Sequence, residues 1–468
     1  MRLAHWQWLI LIALLTRLIN IGAEHFWYDE AFTAAVVHPA TDFWRAALGD
    51  THPPLWNIIM LITTRIFGIS EWSMRLPAGI IGVLNVLLIW QIAKQLGFER
   101  RAAFQAGLFA AAMPAFIYFG QEARQYSLYT FYVLACVWAA MCGNWYLFFF
   151  AAAGAVYTHN ISLIYFGLVA LAGLRVGKQM QGVLTLALVA MAWSPFAVQF
   201  IKQVGVVGDS FWLAPMSAGQ VLQSVAMNTL GWRMPDLLQL VGIPVVFSLT
   251  FVGVWFSRSW MFSQRGRVVL AAAFGVPLAL AAISVLWMNV YVFRAVQPSA
   301  WLLVLFWQAP LARPLSWLRL AAAALVALGV VSHYLTPRDD LTAWTDKVKQ
   351  EWREGDVIYF SEPSMALNYG RYAALPFYVR PTRGNLIGLP AQSKLAFNLP
   401  EATPWSLLDR YERVWIFTQR TPFTRFDEEN HLGNVKATTR WQVIATRQLN
   451  TLTTDYIYMV QRWQPRVR

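Results

Sequence analysis

Residues 237–256 read "LLQLVGIPVVFSLTFVGVWF", twenty residues without a charge. A helix needs about 18 or more such residues to cross the ~30 Å hydrocarbon core of a bilayer. Apolar runs recur along the chain, several of them shorter, at 6–23, 77–93, 102–119, 127–142, 145–161, 162–174, 183–201, 237–256, 268–288, 299–311 and 319–335. Composition leads to the same place. The chain is 57% hydrophobic and 13% charged, against roughly 45–50% and about 25% in a soluble domain. Lipid leaves only structures that satisfy their own backbone polar groups. The fold expectation is therefore a polytopic α-helical membrane protein with about 11 transmembrane helices, over residues 1–335.

The first apolar run lacks a small-residue cleavage exit and reads as a retained span. Cys136 and Cys142 share one apolar run and suit packing better than a disulfide or a metal. The net charge of +13 carries no basic cluster interleaved with aromatics. It argues for membrane lipids as partners and against nucleic acid.

Basic residues accumulate on the cytoplasmic side of membrane proteins. With the N-terminus inside, the inner loops carry Arg2; Lys94, Arg100 and Arg101; Arg175 and Lys178; Arg258, Arg265 and Arg267; and Arg313 and Arg319. Of the ten acids before residue 336, only Glu99 then falls inside. That orientation makes residues 24–76 one external loop. Within it, "PPLWNIIMLITTRIFG" (53–68) reads as an interfacial amphipathic helix opened by the Pro-Pro pair. Beyond residue 336 the chain turns polar, with strand-like "DVIYF", "RVWIF", "RWQVIATRQL" and "DYIYMVQRW". Residues 336–468 are expected to form a small α/β extracytoplasmic domain, without a Gly-rich phosphate loop.

Four polar groups fall on the outer side. Asp29 and Glu30 lie among Trp27, Tyr28 and Phe32 just beyond the first span. They either solvate the helix end or supply a base, since a carboxylate partly withdrawn from water is better suited to take a proton. Asp50, Thr51 and His52 precede two prolines, which stiffen the chain around His52; an ordinary helix cap is compatible with that. Gln121, Glu122, Arg124, Gln125 and Tyr126 follow the third span, where an arginine beside an acid suits either a structural ion pair or a lipid phosphate. Arg294 precedes the Pro-marked tenth span, where snorkelling and anion binding compete. Arg17, inside the first span, either pairs or snorkels and has no evident role. His25, His38 and His52 match no familiar ligand spacing, so no metal site is assigned, and a divalent cation held by the acids stays open.

Together, "WYDEAF", "DTHPPLW", "RLPAGIIGVL", "QEARQYSLY" and a late arginine before a Pro-marked span occur in an order that resembles bacterial membrane glycosyltransferases of the GT-C fold. The likeness is to protein O-mannosyltransferases and the aminoarabinose transferase of lipid A. It is strongest over residues 17–135, weaker to about 335, and a matter of layout in the tail. The resemblance implies sugar transfer from a polyprenyl-phosphate donor to an extracytoplasmic acceptor, at the outer face of a bacterial inner membrane. It places the catalytic carboxylate at Asp29 with Glu30 adjacent. It places donor binding at His52, Gln121, Glu122, Arg124, Tyr126 and Arg294. Many relatives have Arg-Tyr where this chain has Arg294-Ala295.

The function expected is transfer with inversion, Asp29 as base, to a lipid, polysaccharide or protein. A transporter or lipid flippase is the alternative. It would place charges near the bilayer midplane and often repeat its topology, whereas the polar groups here gather on one face and no repeat is visible. A non-catalytic scaffold would leave the Asp29-Glu30 and His-Pro-Pro segments unexplained.

Overall fold

The computed structural model describes residues 4–174, 179–210, 216–309, 315–337, 346, 348–360, 366–367, 375–379, 408, 410–420, 441–448 and 454–462. Two compact units emerge. One comprises Met1–Ala23, His52–Asp209 and Pro215–Pro337; the other comprises Glu24–Thr51, Ser210–Ala214 and Arg338–Arg468.

The first unit is helical. It holds α1 (His5–Leu18), α4 (Leu55–Phe67), α5 (Glu71–Gln95), α6 (Arg100–Ala112), α7 (Pro114–Gly120), α8 (Tyr126–Met141), α9 (Trp145–Val156), α10 (Ser162–Gly173) and α11 (Gln179–Ser210). There follow α12 (Ala218–Thr229), α13 (Asp236–Phe256), α14 (Arg258–Met261), α15 (Gln264–Leu270), α16 (Val276–Leu286), α17 (Gln297–Phe306) and α18 (Ser316–Leu335). Helices α2 (Tyr28–Val36) and α3 (Phe43–Gly49) belong to the second unit. A π-helical turn, Ala271–Gly275, joins α15 to α16, and a 3-10 turn, Phe293–Val296, leads into α17.

Among the described residues, five helical segments are long and apolar enough to cross a membrane: Glu71–Gln95, Gln179–Gly205, Asp236–Phe256, Gln264–Leu286 and Ser316–Leu335. The bent pair α6–α7 makes a sixth if it is one span. Helices α8, α9, α10 and the 3-10/α17 segment are apolar but shorter. Helix α4, with 13 residues, is about 20 Å long, short of the ~30 Å core. It buries Trp56, Asn57, Met60, Thr63 and Thr64 along one face and leaves Ile62 and Ile66 exposed.

Local chemistry moves several boundaries. The span expected at 77–93 begins at Glu71, because Ser70 caps it: its Oγ accepts the N–H of Ser73 at 3.2 Å. Pro77 therefore lies inside the helix, where it removes one ladder donor. The span expected at 102–119 is broken by 59° between Ala112 and Pro114. The 145–161 span stops at Val156, so residues 157–161 form a turn before α10. Helix α12 coincides with no expected span; its capping box pairs Ser217 with Gln220.

The core of this unit gathers where α5 packs against α1, α6 and α8, and where α8 meets α9 and α10. Phe116 stacks on Trp301, with ring centroids 3.9 Å apart and planes 7° from parallel.

The second unit contains a five-stranded sheet ordered β2-β1-β3-β5-β4. Its strands are β1 (Val357–Phe360), β2 (Phe377–Val379), β3 (Arg413–Arg420), β4 (Trp441–Gln448) and β5 (Thr454–Arg462). Strand β1 pairs parallel with β2 and β3; β5 pairs antiparallel with β3 and β4, and the β4 register shifts between Val443 and Ala445. "VIYF" and "VWIF" are buried on both faces, as their unbroken apolar pattern requires. Asp356 tethers the end of this sheet. Its carboxylate meets Arg413 at 2.8 Å and accepts the Trp415 indole N–H at 3.0 Å.

Candidate active site

The polar turn after α7 is positioned by a break in a helix. In a continuous helix the carbonyl of Ala110 would receive the N–H of residue 114, and Pro114 has none. Arg17 supplies the missing donors. Its guanidinium gives hydrogen bonds to Ala111 O at 3.0 Å and Ala110 O at 3.2 Å. Arg17 is fully buried, so it does not snorkel, and carbonyls rather than a carboxylate are its acceptors here. Room for it comes from Gly82, where a Cβ would stand 2.7 Å from Arg17 Nε.

Residues 121–125 form a buried turn pinned at several points. The Gln121 amide donates to Ile19 O at 2.8 Å and Arg17 O at 3.2 Å, and its Oε1 lies 2.8 Å from His333 Nε2. Ala123 O accepts the Trp56 indole N–H at 3.2 Å. Ser127 Oγ donates to Phe119 O at 2.9 Å, while Asn85 donates to Ser127 O at 3.0 Å. Gln121 thus ties this turn to α1 and α18. Glu122 and Arg124 are both buried in the turn it holds.

Around that turn, four segments bring their rings together. The backbone N–H of Leu55 donates to Tyr157 O at 3.0 Å, which joins the start of α4 to the turn after α9. His52 and His159 lie 4.9 Å apart between ring centroids. His159 also stacks on Tyr129 at 4.5 Å and approaches Tyr126 at 6.3 Å. The Arg294 guanidinium stands over Tyr126 at 5.8 Å and over Phe293 at 5.3 Å. Tyr129 Oη donates to Ala295 O at 3.0 Å, and Asn228 Nδ2 donates to Phe293 O at 2.7 Å, which hold the Arg294 turn in place. The aromatic partners of Arg294 therefore come from Phe293 and Tyr126. His52, Arg124, Tyr126 and Arg294 converge.

His159 is the residue in this cluster that the motifs did not indicate. The available signal was "THN" (158–160), three polar residues between two apolar runs. Burial first, then the positive fields of His52 and Arg124, hold the His159 imidazole well below the ordinary histidine range.

In the second unit, Asp29 and Glu30 occupy the first turn of α2, where helix dipoles favour anions. Glu30 is buried and its carboxylate accepts the Trp27 N–H at 3.3 Å, fixing the entry to the helix. Asp29 is half-buried, and its own carbonyl accepts the Thr33 hydroxyl at 2.9 Å. Asp50 is buried and accepts the Thr51 hydroxyl at 3.4 Å, while Asp42 caps α3 through Arg45 N–H. Among the described residues, no three His, Cys, Asp or Glu side chains gather closely enough to hold a metal ion.

Residues 51–214 match the model of the family described as dolichyl-phosphate-mannose-protein mannosyltransferase. That stretch includes His52, Gln121, Glu122, Arg124, Tyr126 and His159. No curated protein matches the chain significantly. Among solved structures, ArnT from Cupriavidus metallidurans bound to undecaprenyl phosphate superposes with a TM-score of 0.54 at 13% identity, covering 97% of this chain and 98% of that one. The mycobacterial arabinofuranosyltransferase AftD aligns at 13% identity over 98% of this chain and 42% of its own, with a TM-score of 0.46. The S. cerevisiae Pmt1-Pmt2 complex bound to its sugar donor aligns at 14% identity over 46% of this chain and 36% of that one, with a TM-score of 0.34. The chain has the GT-C fold seen in ArnT, and its likeness to O-mannosyltransferase-type membrane glycosyltransferases, first suggested by its motifs, is borne out.

Proposed function

We propose that the protein transfers a sugar from a polyprenyl-phosphate carrier to an extracytoplasmic lipid, polysaccharide or protein. The observation that carries this reading is the convergence of half-buried His52 and Arg294 with buried Arg124 and Tyr126 in a chain with the ArnT fold. A carrier with a long isoprenoid stays in the bilayer, so its phosphate has to be met at the membrane boundary. The phosphate is the leaving group, and cations fixed in a water-poor site stabilise its growing charge without reorganising. Arg124 and Arg294 supply that charge, with His52 as a polar partner. Tyr126 sets the Arg294 guanidinium against its ring face. Glu122 is the buried acid of the same turn, and Gln121 holds that turn in place.

Asp29 takes the proton of the attacking hydroxyl or amine in a single displacement, so the anomeric centre inverts. Glu30 positions Asp29 by fixing the start of α2. Eleven spans, a bacterial inner-membrane location, and an outward-facing site and 336–468 domain complete the reading. The test is transfer of label from a radiolabelled polyprenyl-phosphate sugar by the purified protein in liposomes. A transporter or flippase would move the labelled lipid without cleaving the sugar–phosphate bond.

A further inference from the structure

Arg124 and Arg294 come from segments far apart in sequence, the turn after α7 and the turn before α17. Two cations meant for one phosphate have to keep their separation, since a misplacement of about 1 Å can cost on the order of 100-fold in rate. A run of hydrogen bonds through the end of α18 connects the two turns. Gly329 lets α18 close on the helix break: a Cβ there would stand 2.5 Å from Pro114 Cγ and 3.2 Å from Leu230 O. One turn further along the same face, buried His333 meets Gln121, with Nε2 2.8 Å from Oε1. The Gln121 amide nitrogen already donates to Arg17 O and Ile19 O, which can only accept. Its oxygen is therefore the atom turned to His333, and His333 Nε2 carries the proton it accepts. The backbone of His333 is held from the other side. In a continuing helix His333 O would receive the N–H of residue 337, which is proline. The Arg233 guanidinium donates there instead at 2.7 Å and to Thr336 O at 3.0 Å, and the Ser332 hydroxyl donates back to Arg233 O. Arg233 follows α12, from which Asn228 donates to Phe293 O beside Arg294.

We propose that His333 is a positioning residue for sugar transfer: its Nε2–H, acting through Gln121, sets Arg124 at the separation from Arg294 that one phosphate requires. The proposal rests on the functional reading above and gives His333 no contact with the phosphate. Its effect belongs to the transition state, where the leaving phosphate gains charge and a displaced guanidinium stabilises it less.

His333→Leu removes the donor, and His333→Gln returns an N–H near the position of Nε2. Helix α18 keeps its ties through Arg233 and through the Tyr334 hydroxyl, which donates to Thr16 O, so the change stays local. Purified full-length protein in liposomes is assayed for transfer from a radiolabelled polyprenyl-phosphate sugar. The kcat and the KM for the carrier are separated, and thermal unfolding is recorded alongside. His333→Leu is expected to lower kcat/KM at least about tenfold per folded molecule, mostly through kcat, and His333→Gln to stay within about threefold of the native protein. Added to Gln121→Leu, His333→Leu is expected to cost less than about twofold more, because the two residues act as one unit. Native-like kcat/KM in His333→Leu overturns the proposal while leaving the transferase reading intact. Equal losses in both His333 variants, or losses that multiply in the double variant, overturn it too, since the hydrogen bond to Gln121 would then not be what matters. Asn228→Leu opens the same run at its other end and decides the matter if His333→Leu does not fold. It is expected to lower kcat/KM about tenfold, and native-like transfer overturns the proposal. Failure of the native protein to transfer the label overturns both this role and the reading beneath it.

Discussion

A guanidinium buried inside a membrane helix has to find acceptors, and Arg17 finds them in two carbonyls at the helix break before Pro114. Replacing it by methionine keeps much of the volume, takes away its bond to Ala110 O and leaves Ala111 O with the Thr16 hydroxyl at 3.1 Å. Each unmade buried hydrogen bond costs about 1–3 kcal/mol, so Arg17→Met is expected to lose about 2 kcal/mol of stability, read as a lower unfolding midpoint in detergent. An unchanged midpoint would contradict the stapling role. At the acids the expectation is asymmetric. Glu30→Gln can still accept the Trp27 N–H and should lower transfer only severalfold, whereas Asp29→Asn removes the base. The candidate residues could be listed from motif order, because each sits at a polar break in an apolar chain. His159 could not, since its significance lies in ring contacts with residues 107 and 30 positions away, His52 and Tyr129. The task of Gln121 was equally hidden, because its partners lie on α1 and α18.

Helices obey their caps more closely than their apolar limits. The runs at 127–142 and 237–256 became α8 and α13 almost unchanged, since no competing cap lies nearby. Ser70 and Ser217 shifted or created helix starts that hydrophobicity alone did not mark, although "SEWS" and "SAGQ" held the signal. The 59° bend at Pro114 was legible only as a proline inside a run; its direction depends on Arg17 and the residues packed around it. Pro114→Ala restores the missing N–H and lets Ala110 O return to the helix ladder. That competition with Arg17 is expected to reduce the bend and move the 121–125 turn. Spin labels on α6 and α7 should report an increased separation, with transfer reduced at least tenfold, near the low end of positioning effects. An unchanged separation would show that packing alone sets the bend.

For the molecule as a whole, the membrane class and strand segments β1, β3, β4 and β5 followed from composition and periodicity, while β2 was too short to signal itself. The segment Glu24–Thr51 groups with Arg338–Arg468 and not with the helices on either side of it in sequence. No local pattern foretells that grouping. It implies that removing residues 338–468 disturbs the segment bearing Asp29 while sparing the helical unit. The truncated protein is expected to keep its helicity by circular dichroism and its binding of undecaprenyl phosphate, yet lose transfer; retained transfer would contradict that dependence. Sugar transfer by this protein turns on whether Asp29 does chemistry on a carrier-linked sugar. Single-turnover transfer from a radiolabelled polyprenyl-phosphate sugar, comparing native protein with Asp29→Asn in liposomes, addresses this most directly. With Asp29 as the base, the native protein transfers the label and the variant does so at a rate at least ~100-fold lower with donor binding retained; near-native transfer by Asp29→Asn would contradict that role.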